Sequence, residues 1–384
     1  MDFAFTEQQE MIRKEGGALA RAFSIDYWLE KDRKAEYPVE FIDTFRKNGW
    51  LGIIVPEEYG GSGLGVTEAS ILLHEICAAG AGTSGASPIH FYVFPPMPLI
   101  KHGSEPLKRK YLPKIAAGDI IMSFGVTEPN AGTDTSRIQT RAEKKGDRWV
   151  INGRKVWNTN AQHATRILLL ARTTPREQVA NKPFKGMTLF FADFDRRRIT
   201  VREIEKLGRA AVDSNEIFID NLEVPEEDVV GQVGEGFYHL LDSLNPERIL
   251  TGIEAVGIGK AALERAVQYA KERIVFDRPI GKNQAIAHPL AQAWARLETA
   301  ELMCWKAAWL FDHGRPCGAE SNTAKLVAAE AGFEACDVAL QTFGGYGYAK
   351  EFYVERLWRE IRLYKIAPVS QQMVLNHLAE HVLG

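Results

Sequence analysis

Two residues near the middle of the chain have the types and spacing to serve redox chemistry. Residues 153–164, GRKVWNTNAQHA, present Trp157 and Thr159 two positions apart, which on a regular strand is one face. An aromatic ring can cover a planar heterocycle, and a hydroxyl can hydrogen-bond its redox-active nitrogen, so the pair would suit an isoalloxazine ring. A tryptophan on a strand is more often a core residue, and that interpretation stays open at this point.

A second stretch combines small residues with hydroxyl and carboxylate side chains, namely FGVTEPNAGTDTSRIQT at residues 124–140. It lies where a helical pattern gives way to a strand pattern. Taken alone, it could equally be a surface loop. Its interest comes from the neighbouring Trp157 segment, which would supply the aromatic part of the same site.

A third stretch, REIRLYKIAPVSQQ at residues 359–372, interrupts the helical pattern near the end of the chain. A basic, periodic helix predicted from Phe352 through Arg359 stops here, because Pro368 has no N–H to donate and restrains Ala367 toward extended geometry. The simplest interpretation is a turn between two helices.

Helical periodicity marks the two ends of the chain. Residues 1–120 are predicted to form an N-terminal helical domain, with a capping box at Thr6 and Gln9 and a helix over residues 38–47. Residues 236–384 return to the helical period and are predicted to form a C-terminal helical bundle. One apolar stripe of its first helix is predicted to comprise Val256, Leu263, Val267, Ala270 and Ile274.

Residues 121–235 instead follow a period of two and are predicted to form a central β domain. The segments RILLLA, MTLFFADF and EIFIDNLEV have strand composition, and Asn152-Gly153 is a hairpin signal. The order of helices, strands and helices predicts an α+β fold that is mainly α. It disfavours an alternating βαβ sheet with a Rossmann dinucleotide site.

Composition and charge exclude several classes of protein. The 384 residues suffice for two or three packed units, and a net charge of −3 with mixed signs predicts neither a nucleic-acid partner nor an anionic membrane partner. The opening residues show neither a basic n-region nor an apolar h-region, and no apolar run approaches the ~18 residues of a membrane span. The four cysteines lack disulfide-framework or zinc-site spacing, so we expect a soluble cytoplasmic protein without a metal site.

The two central stretches, together with KERIVFDRPIGKNQA at residues 271–285 and QTFGGYGYAKEFYVERLWRE at residues 341–360, resemble the acyl-CoA dehydrogenase family over nearly the whole chain. The last run fits the family's C-terminal signature at every spacing, which is far more specific than a lone glycine-rich turn. The N-terminal signature also fits, with GVTE at residues 125–128 and GTD at residues 132–134. Arg137 stands where a small residue is usual, so the resemblance does not determine how the loop near the acyl-CoA entrance packs.

The resemblance implies an N-terminal helical domain, a central β-barrel domain and a C-terminal four-helix bundle, with FAD bound where they meet. It implies an acyl-CoA substrate, electron-transfer flavoprotein as electron partner, and a homotetramer built as a pair of dimers. In this sequence the flavin would be lined by Phe124, Val126 and Thr127 and contacted by Trp157 and Thr159.

The resemblance also implies a second set of FAD contacts, made to the ADP portion of a neighbouring subunit's cofactor. Arg273 could instead complement a helix dipole at a C-terminus, and the glycines could simply end a helix. The residues implied are Arg273, Phe276, Gln284, Gln341, Gly344 and Gly345, with Ser370 and Gln372 near the diphosphate.

The family's usual catalytic base is absent from this sequence. Family members commonly have tyrosine, glutamate, glycine and threonine at the C-terminal turn, and that glutamate removes the substrate's α-proton. Here residues 367–370 are APVS, so Pro368 replaces the glutamate. Some relatives, isovaleryl-CoA dehydrogenase among them, place the base on a helix of the C-terminal bundle, and the matching segment LDSLNPERILTG has Glu247 there. Arg248 and Thr133 would contact the acyl-CoA.

Glu247 has a simpler explanation as well, because Asn245, Pro246 and Glu247 are typical of a helix N-cap, first position and first-turn acid. Combined with the missing carboxylate at position 368, the sequence favours the catalytic role. Pro368 also lacks the N–H that in the family donates to the thioester oxygen, and losing such a donor can cost ~3 kcal/mol. Either a neighbouring N–H replaces it or the reaction differs.

Three functions are therefore compatible with the sequence. The first is FAD-dependent α,β-dehydrogenation of an acyl-CoA, with electrons passed to electron-transfer flavoprotein. The second is another reaction in the same FAD and CoA pocket, either enoyl-CoA reduction or elimination without net redox. The third is binding of flavin or CoA esters without turnover. The bulky segment HFYVFPP at residues 90–96 could narrow the acyl pocket, although such aromatics are more often core residues.

Overall fold

The N-terminal region is helical in the computed structural model, which describes residues 3–179 and 181–384. The predicted capping box is confirmed, because the Thr6 hydroxyl accepts from the Gln9 backbone N–H and the Gln9 side chain accepts from the Thr6 N–H. The helices are α1 (Glu7–Arg21), α2 (Ile25–Lys34), α3 (Val39–Lys47), α4 (Val66–Ile76), α5 (Gly82–His90), α6 (Met97–His102) and α7 (Glu105–Ala116).

The central region forms one eight-stranded sheet, with strands in the order β6-β7-β3-β2-β4-β5-β8 and β1 paired in parallel with β4. Within the described residues, β6 and β8 are not joined to each other by hydrogen bonds, so the expected barrel is not closed by its end strands. The strands are β1 (Met122–Gly125), β2 (Arg141–Lys145), β3 (Arg148–Thr159), β4 (Arg166–Arg172), β5 (Met187–Asp193), β6 (Ile199–Glu203), β7 (Ser214–Pro225) and β8 (Val229–Val230).

The predicted hairpin at Asn152-Gly153 is wrong. Strand β3 continues through this dipeptide, and the turn that joins β2 to β3 is at residues 146–147. The Asn152 side-chain oxygen accepts from the Asn221 N–H at 2.8 Å, and the register against β7 shifts at Gly153. A Cβ on Gly153 would lie 2.3 Å from Thr140 Oγ1, so close approach of the chain just before β2 explains this glycine.

The C-terminal region is a helical bundle in which α8 packs against α9 and α10, and α11 packs against α10. The predicted apolar stripe is wrong at Ile274, because α8 ends at Glu272 and Ile274 is 54% exposed in a short hairpin. The elements are α8 (Gly236–Glu272), β9 (Ile274–Val275), β10 (Arg278–Pro279), α9 (Gln284–Asp312), α10 (Gly318–Phe343), α11 (Val354–Ile361) and α12 (Gln371–Leu378).

The cysteines are not disulfide-bonded, and all four are buried thiols. Across residues 3–179 and 181–384, no group of three or more His, Cys, Asp and Glu side chains is arranged to hold a metal ion. In the same part of the chain, every helix is too short or too polar to cross a membrane.

A buried ion pair on α11 joins the N-terminal and C-terminal domains. Arg356 Nη1 lies 2.6 Å from Glu360 Oε1, and both side chains are fully buried. Glu360 accepts from the hydroxyls of Thr83 (2.8 Å) and Ser84 (2.7 Å) at the start of α5. Arg356 donates to the Gly80 carbonyl at 2.6 Å. Because the charges are neutralised and hydrogen-bonded inside the protein, the pair anchors α5 against α11.

We expect Glu360→Gln to lower the free energy of unfolding by about 3–5 kcal/mol, because it leaves the Arg356 guanidinium buried without a carboxylate. Urea denaturation of the wild type and the variant measures the loss. Glu30→Gln is a matched control, since the Glu30–Lys34 pair has the same spacing and the same 2.6 Å distance but each side chain is 60% exposed. No measurable loss is expected there. Equal losses in the two variants would contradict the argument from burial.

Candidate active site

The two central stretches lie side by side, because a buried ion pair ties the loop after β1 to β3. Lys155 Nζ lies 2.8 Å from Glu128 Oε1 and 2.9 Å from the Val126 carbonyl oxygen. Glu128 also accepts from the backbone N–H groups of Gln139 (2.6 Å) and Thr140 (2.9 Å). Burial alone would raise the pKa of Glu128, but the Lys155 charge and these hydrogen bonds lower it. The loop is therefore held by a fully satisfied carboxylate.

The residues predicted to line the flavin lie at the end of β1, and their side chains are half-buried. The Phe124 carbonyl accepts from the Asn158 side chain at 2.7 Å, and the Thr127 carbonyl accepts from the Val156 N–H at 2.9 Å. The Val126 carbonyl likewise accepts a hydrogen bond, from the Lys155 ammonium. The backbone polar groups are thus used internally, and the predicted flavin contacts of Phe124, Val126 and Thr127 would be made by their side chains.

Trp157 projects from the sheet instead of joining the core. Its side chain is 58% exposed, and its backbone φ is 64°, which is rare for a residue other than glycine. The pairing of β3 with β7 shifts between Lys155 and Asn158, so the expectation that Trp157 and Thr159 share one regular strand face is wrong. Strained, exposed aromatics of this kind cluster at binding sites. Together with the buried Thr159, the ring fits a planar cofactor.

Arg209, which the sequence did not single out, lies beside Thr159. It belongs to the loop between β6 and β7, and its Nη2 donates to Thr159 Oγ1 at 3.2 Å and to Ser214 Oγ at 2.8 Å. Its Nη1 donates to Ser87 Oγ on α5 at 3.2 Å. Burial lowers the pKa of Arg209. Arg209 belongs to none of the motifs recognised in the sequence, so no sequence feature indicated its contact with Thr159.

Glu247 lies well inside α8. The interpretation of Asn245, Pro246 and Glu247 as the first residues of a helix is wrong, because α8 begins at Gly236 and continues through Pro246. A first-turn dipole contact therefore cannot explain Glu247.

His90, Glu254 and Tyr364 form a buried network, and its His90 and Glu254 act electrostatically on Glu247. His90 Nδ1 lies 2.6 Å from Glu254 Oε1, and the Tyr364 hydroxyl donates to the same carboxylate. Burial raises the pKa of Glu247 to about 7, against the opposing charges of His90 and Arg248. Burial would lower the pKa of His90, but Glu254 raises it. A carboxyl group that titrates near neutral pH is suited to accept and release a proton.

The turn around Pro368 connects a short 3-10 segment to α12. The Val369 carbonyl accepts from Lys325 Nζ at 2.5 Å, and burial lowers the pKa of this lysine to about 8. The Ser370 hydroxyl caps the start of α12, while the Gln372 side chain is exposed. Ser370 thus already has a role in the helix, and its predicted diphosphate contact stays a prediction.

The residues expected to contact the acyl-CoA lie on the loop after β1 and on α8. Thr133 is exposed on that loop. Arg137 extends into solvent and pairs with Asp134 at 2.8 Å. Arg248 donates to the Leu244 carbonyl at 3.1 Å, and its Nε is buried without a hydrogen-bond partner in the described part of the chain.

The second predicted set of FAD contacts lies at one end of the bundle. Arg273 lies at the C-terminus of α8, as one of the two interpretations of this residue has it. Its backbone N–H donates to the Tyr269 carbonyl. Phe276 and Asp277 form the two-residue turn of the β9–β10 hairpin with φ values of 50° and 63°, which are typical of a type I′ turn. The Phe276 ring is 94% exposed. Gln284 is exposed on the first turn of α9.

The glycine-rich segment after α10 lies at the same end, because Tyr269 of α8 stacks on Phe343 of α10 with ring centroids 4.1 Å apart. Gly344 ends α10 with a φ of 61°, as the helix-ending interpretation predicts. A Cβ on Gly344 or Gly345 would meet no atom within 4 Å, and Gln341 is exposed. Among residues 3–179 and 181–384, no hydrogen bond or ring contact joins this set to Trp157.

Comparison with known proteins gives three consecutive family matches. The acyl-CoA dehydrogenase N-terminal domain matches residues 6–119, the middle domain residues 123–222 and the C-terminal domain residues 234–383. Acyl-CoA dehydrogenase FadE12 of Mycobacterium tuberculosis is 37% identical over 387 residues, covering 100% of this chain and 97% of its own length. A 3-(aryl)acrylate reductase of Clostridium sporogenes is 34% identical over 380 residues, covering 97% and 98%.

Solved structures of the same fold also superpose on this chain along its whole length. Glutaryl-coenzyme A dehydrogenase in its glutaryl-CoA complex superposes with a TM-score of 0.95 at 31% identity, covering 100% of this chain and 97% of that one. A chain from the structure of the electron transferring flavoprotein of Acidaminococcus fermentans superposes with a TM-score of 0.94 at 32% identity, covering both chains completely. The similarity extends through all three domains.

Trp157→Ala is expected to weaken FAD retention at least tenfold, because it removes the exposed ring that would cover the isoalloxazine. Gel filtration of the reconstituted protein, with the flavin-to-protein ratio read from absorbance, measures the loss. Trp157→Phe keeps an aromatic ring at the same backbone and should retain most of the affinity. An unchanged flavin spectrum and affinity in the alanine variant would remove Trp157 from the site.

Proposed function

Because the chain belongs to the acyl-CoA dehydrogenase family of FAD-dependent oxidoreductases, we propose that it catalyses the α,β-dehydrogenation of an acyl-CoA thioester to the 2-enoyl-CoA. We further propose that electron-transfer flavoprotein accepts the electrons. The observation that carries the proposal is Glu247, a half-buried carboxyl group on α8 whose pKa burial raises to about 7. By the family resemblance, Glu247 would stand at the helical position where relatives without the turn glutamate carry their base.

Removal of the substrate's α-proton requires an aligned base. The α-proton of a thioester is a much weaker acid than a carboxylic acid, so a carboxylate in water would hardly take it. Burial makes Glu247 a stronger base and also makes its protonated form stable near neutral pH. FAD, when bound, accepts the hydride that leaves the β-carbon.

Two basic side chains, one beside Glu247 on α8 and one at the 367–370 turn, support binding of an anionic, thioester-bearing substrate. Arg248 follows Glu247 on α8 with a buried, unsatisfied Nε, and Lys325 holds the Val369 carbonyl of the 367–370 turn. Arg248 is proposed to contact the CoA portion, with Thr133 on the loop after β1. Pro368 has no N–H, so the thioester oxygen must accept from a donor other than residue 368.

Enoyl reduction is the second candidate, and the 34% identical 3-(aryl)acrylate reductase of Clostridium sporogenes favours it. The same residues suit this direction, because a Glu247 that is half protonated at about pH 7 can donate a proton as well as accept one. The two candidates therefore differ in direction and in substrate and share the site.

Anaerobic mixing of the purified holoenzyme with a panel of acyl-CoAs tests the proposal. Loss of the flavin's visible absorbance with at least one saturated thioester is the expected result. Rapid reoxidation of reduced flavin by enoyl-CoAs or arylacrylates, without bleaching by saturated thioesters, would favour the reductase. No spectral change with any of these compounds would leave only binding without turnover.

Glu247→Gln should slow flavin reduction by about 10²-fold or more while preserving FAD and acyl-CoA binding, because the amide keeps the shape but cannot accept the proton. Stopped-flow absorbance measures the rate. Glu264→Gln is a control on the same helix, where the side chain is exposed, and should reduce its flavin at the wild-type rate.

The pH dependence of the same rate gives a second signature of Glu247. A protonated carboxyl group cannot accept a proton, so the rate should fall as pH drops below about 7 and level off above it. This limb should be missing from the slow residual rate of Glu247→Gln. Reduction of that variant at the wild-type rate with a good substrate would show that Glu247 is not the base.

We expect at least a dimer, and by family resemblance a tetramer, because the exposed set at the end of the bundle is separate from Trp157 and requires a second chain to share one FAD. Sedimentation velocity at micromolar concentration measures the assembly. Phe276→Ser should lower FAD retention, whereas Val39→Ser, another exposed apolar residue on α3, should not. A flavin-replete monomer would contradict this expectation.

A further inference from the structure

The Arg209 guanidinium lies among hydroxyl groups and forms no ion pair. Its three side-chain partners are Thr159, Ser214 and Ser87, from β3, β7 and α5. Over the described ranges 3–179 and 181–384, no carboxylate oxygen lies within 4.0 Å of it. A guanidinium only donates, so each of the three hydroxyl oxygens must act as an acceptor toward Arg209.

This contact fixes the direction in which Thr159 can donate. A threonine hydroxyl has one O–H and two acceptor lone pairs, and here one lone pair faces Arg209 Nη2. The O–H must therefore point away from the guanidinium. Thr159 is only 7% exposed, and its hydroxyl donates to no group in the part of the chain that the structure describes. A buried donor of this kind needs an acceptor that the chain does not supply.

The charge of Arg209 is also left largely uncompensated. The carboxylates of Asp213, Glu360 and Glu254 act on it only through space, without a hydrogen bond or an ion pair. Burial keeps the Tyr364 phenol neutral by raising its pKa. Arg209 is half-buried, and its Nε is buried without a hydrogen-bond partner in the described part of the chain. A cation in such a place without an ion pair is costly, and Arg209 additionally has a left-handed backbone with a φ of 59°. Strain and an unpaired charge at one residue are typical of a functional site.

We propose that Arg209 is a positioning residue for the flavin: it orients the Thr159 hydroxyl toward the ring's redox-active nitrogen and places a fixed positive charge beside that edge. The inference rests on the proposed function, in which Thr159 contacts the flavin. Negative charge that develops on the ring during reduction is stabilised by such a cation and by an oriented donor. Arg209 therefore favours the reduced form of the cofactor.

The equilibrium between oxidised and reduced flavin tests this role without any acyl-CoA. The FAD holoenzyme and Arg209→Met would each be reduced anaerobically in the presence of a reference dye. We expect the variant to shift the equilibrium at least tenfold toward oxidised flavin, which is about 30 mV for a two-electron couple. Arg209→Lys keeps the charge and should stay within about threefold of the wild type.

Further variants separate positioning from a purely structural role. Ser87→Ala removes the contact between Arg209 and α5 but leaves the contact with Thr159, so it should not move the flavin equilibrium. If Arg209→Met does not fold, Arg209→Gln takes its place, because its amide is neutral but can still donate to Thr159, and the same direction of shift is expected.

An unchanged equilibrium in the neutral variants would overturn the inference, and a raised KM for acyl-CoA in that case would show that Arg209 contacts substrate instead. A shift in Ser87→Ala equal to that in Arg209→Met would also overturn it, because loss of packing would then account for both. If no acyl-CoA bleaches the wild-type flavin while the dye titration still shows the Arg209 shift, the proposed dehydrogenation fails and the role of Arg209 stands.

Discussion

The buried Arg356–Glu360 ion pair is the constraint on which the site depends, because it anchors α5. The two hydroxyl residues at the start of α5 bond to Glu360, and the rest of the helix then has little freedom. One turn later, Ser87 accepts from the loop between β6 and β7, and His90 contacts Glu254 on α8. One helix of the N-terminal domain therefore aligns parts of the other two domains.

Charges in this interior divide into two kinds. The pairs Arg356–Glu360 and Lys155–Glu128 are neutralised and hydrogen-bonded, which is the condition under which buried charges hold a structure together. Arg209 and Glu247 have no such partner within the described ranges. Keeping these charges away from water without a partner costs free energy, and a cofactor or substrate with developing charge would offset that cost. Groups of this kind are typical of catalytic sites.

Some local errors of sequence interpretation have a common physical cause. Asn245-Pro246 is typical of a helix start, and Asn152-Gly153 is typical of a hairpin turn, yet α8 and β3 continue through them. A proline inside a helix costs about 3 kcal/mol, and packing of α8 against two long helices offsets that cost. Local propensity gives way where an element is covered along most of its length.

The sequence by itself determined the order of helical, β and helical regions, the family resemblance and the adjacency of the two central stretches. Periodicity and closely spaced motif residues are local features of the sequence, so they can be recognised without a structure. Only the tertiary structure decided that Trp157 is exposed, that His90 and Glu254 act electrostatically on Glu247, and that Arg209 contacts Thr159. The last two are interactions between elements far apart in the chain, and burial strengthens them. No local sequence pattern encodes that burial.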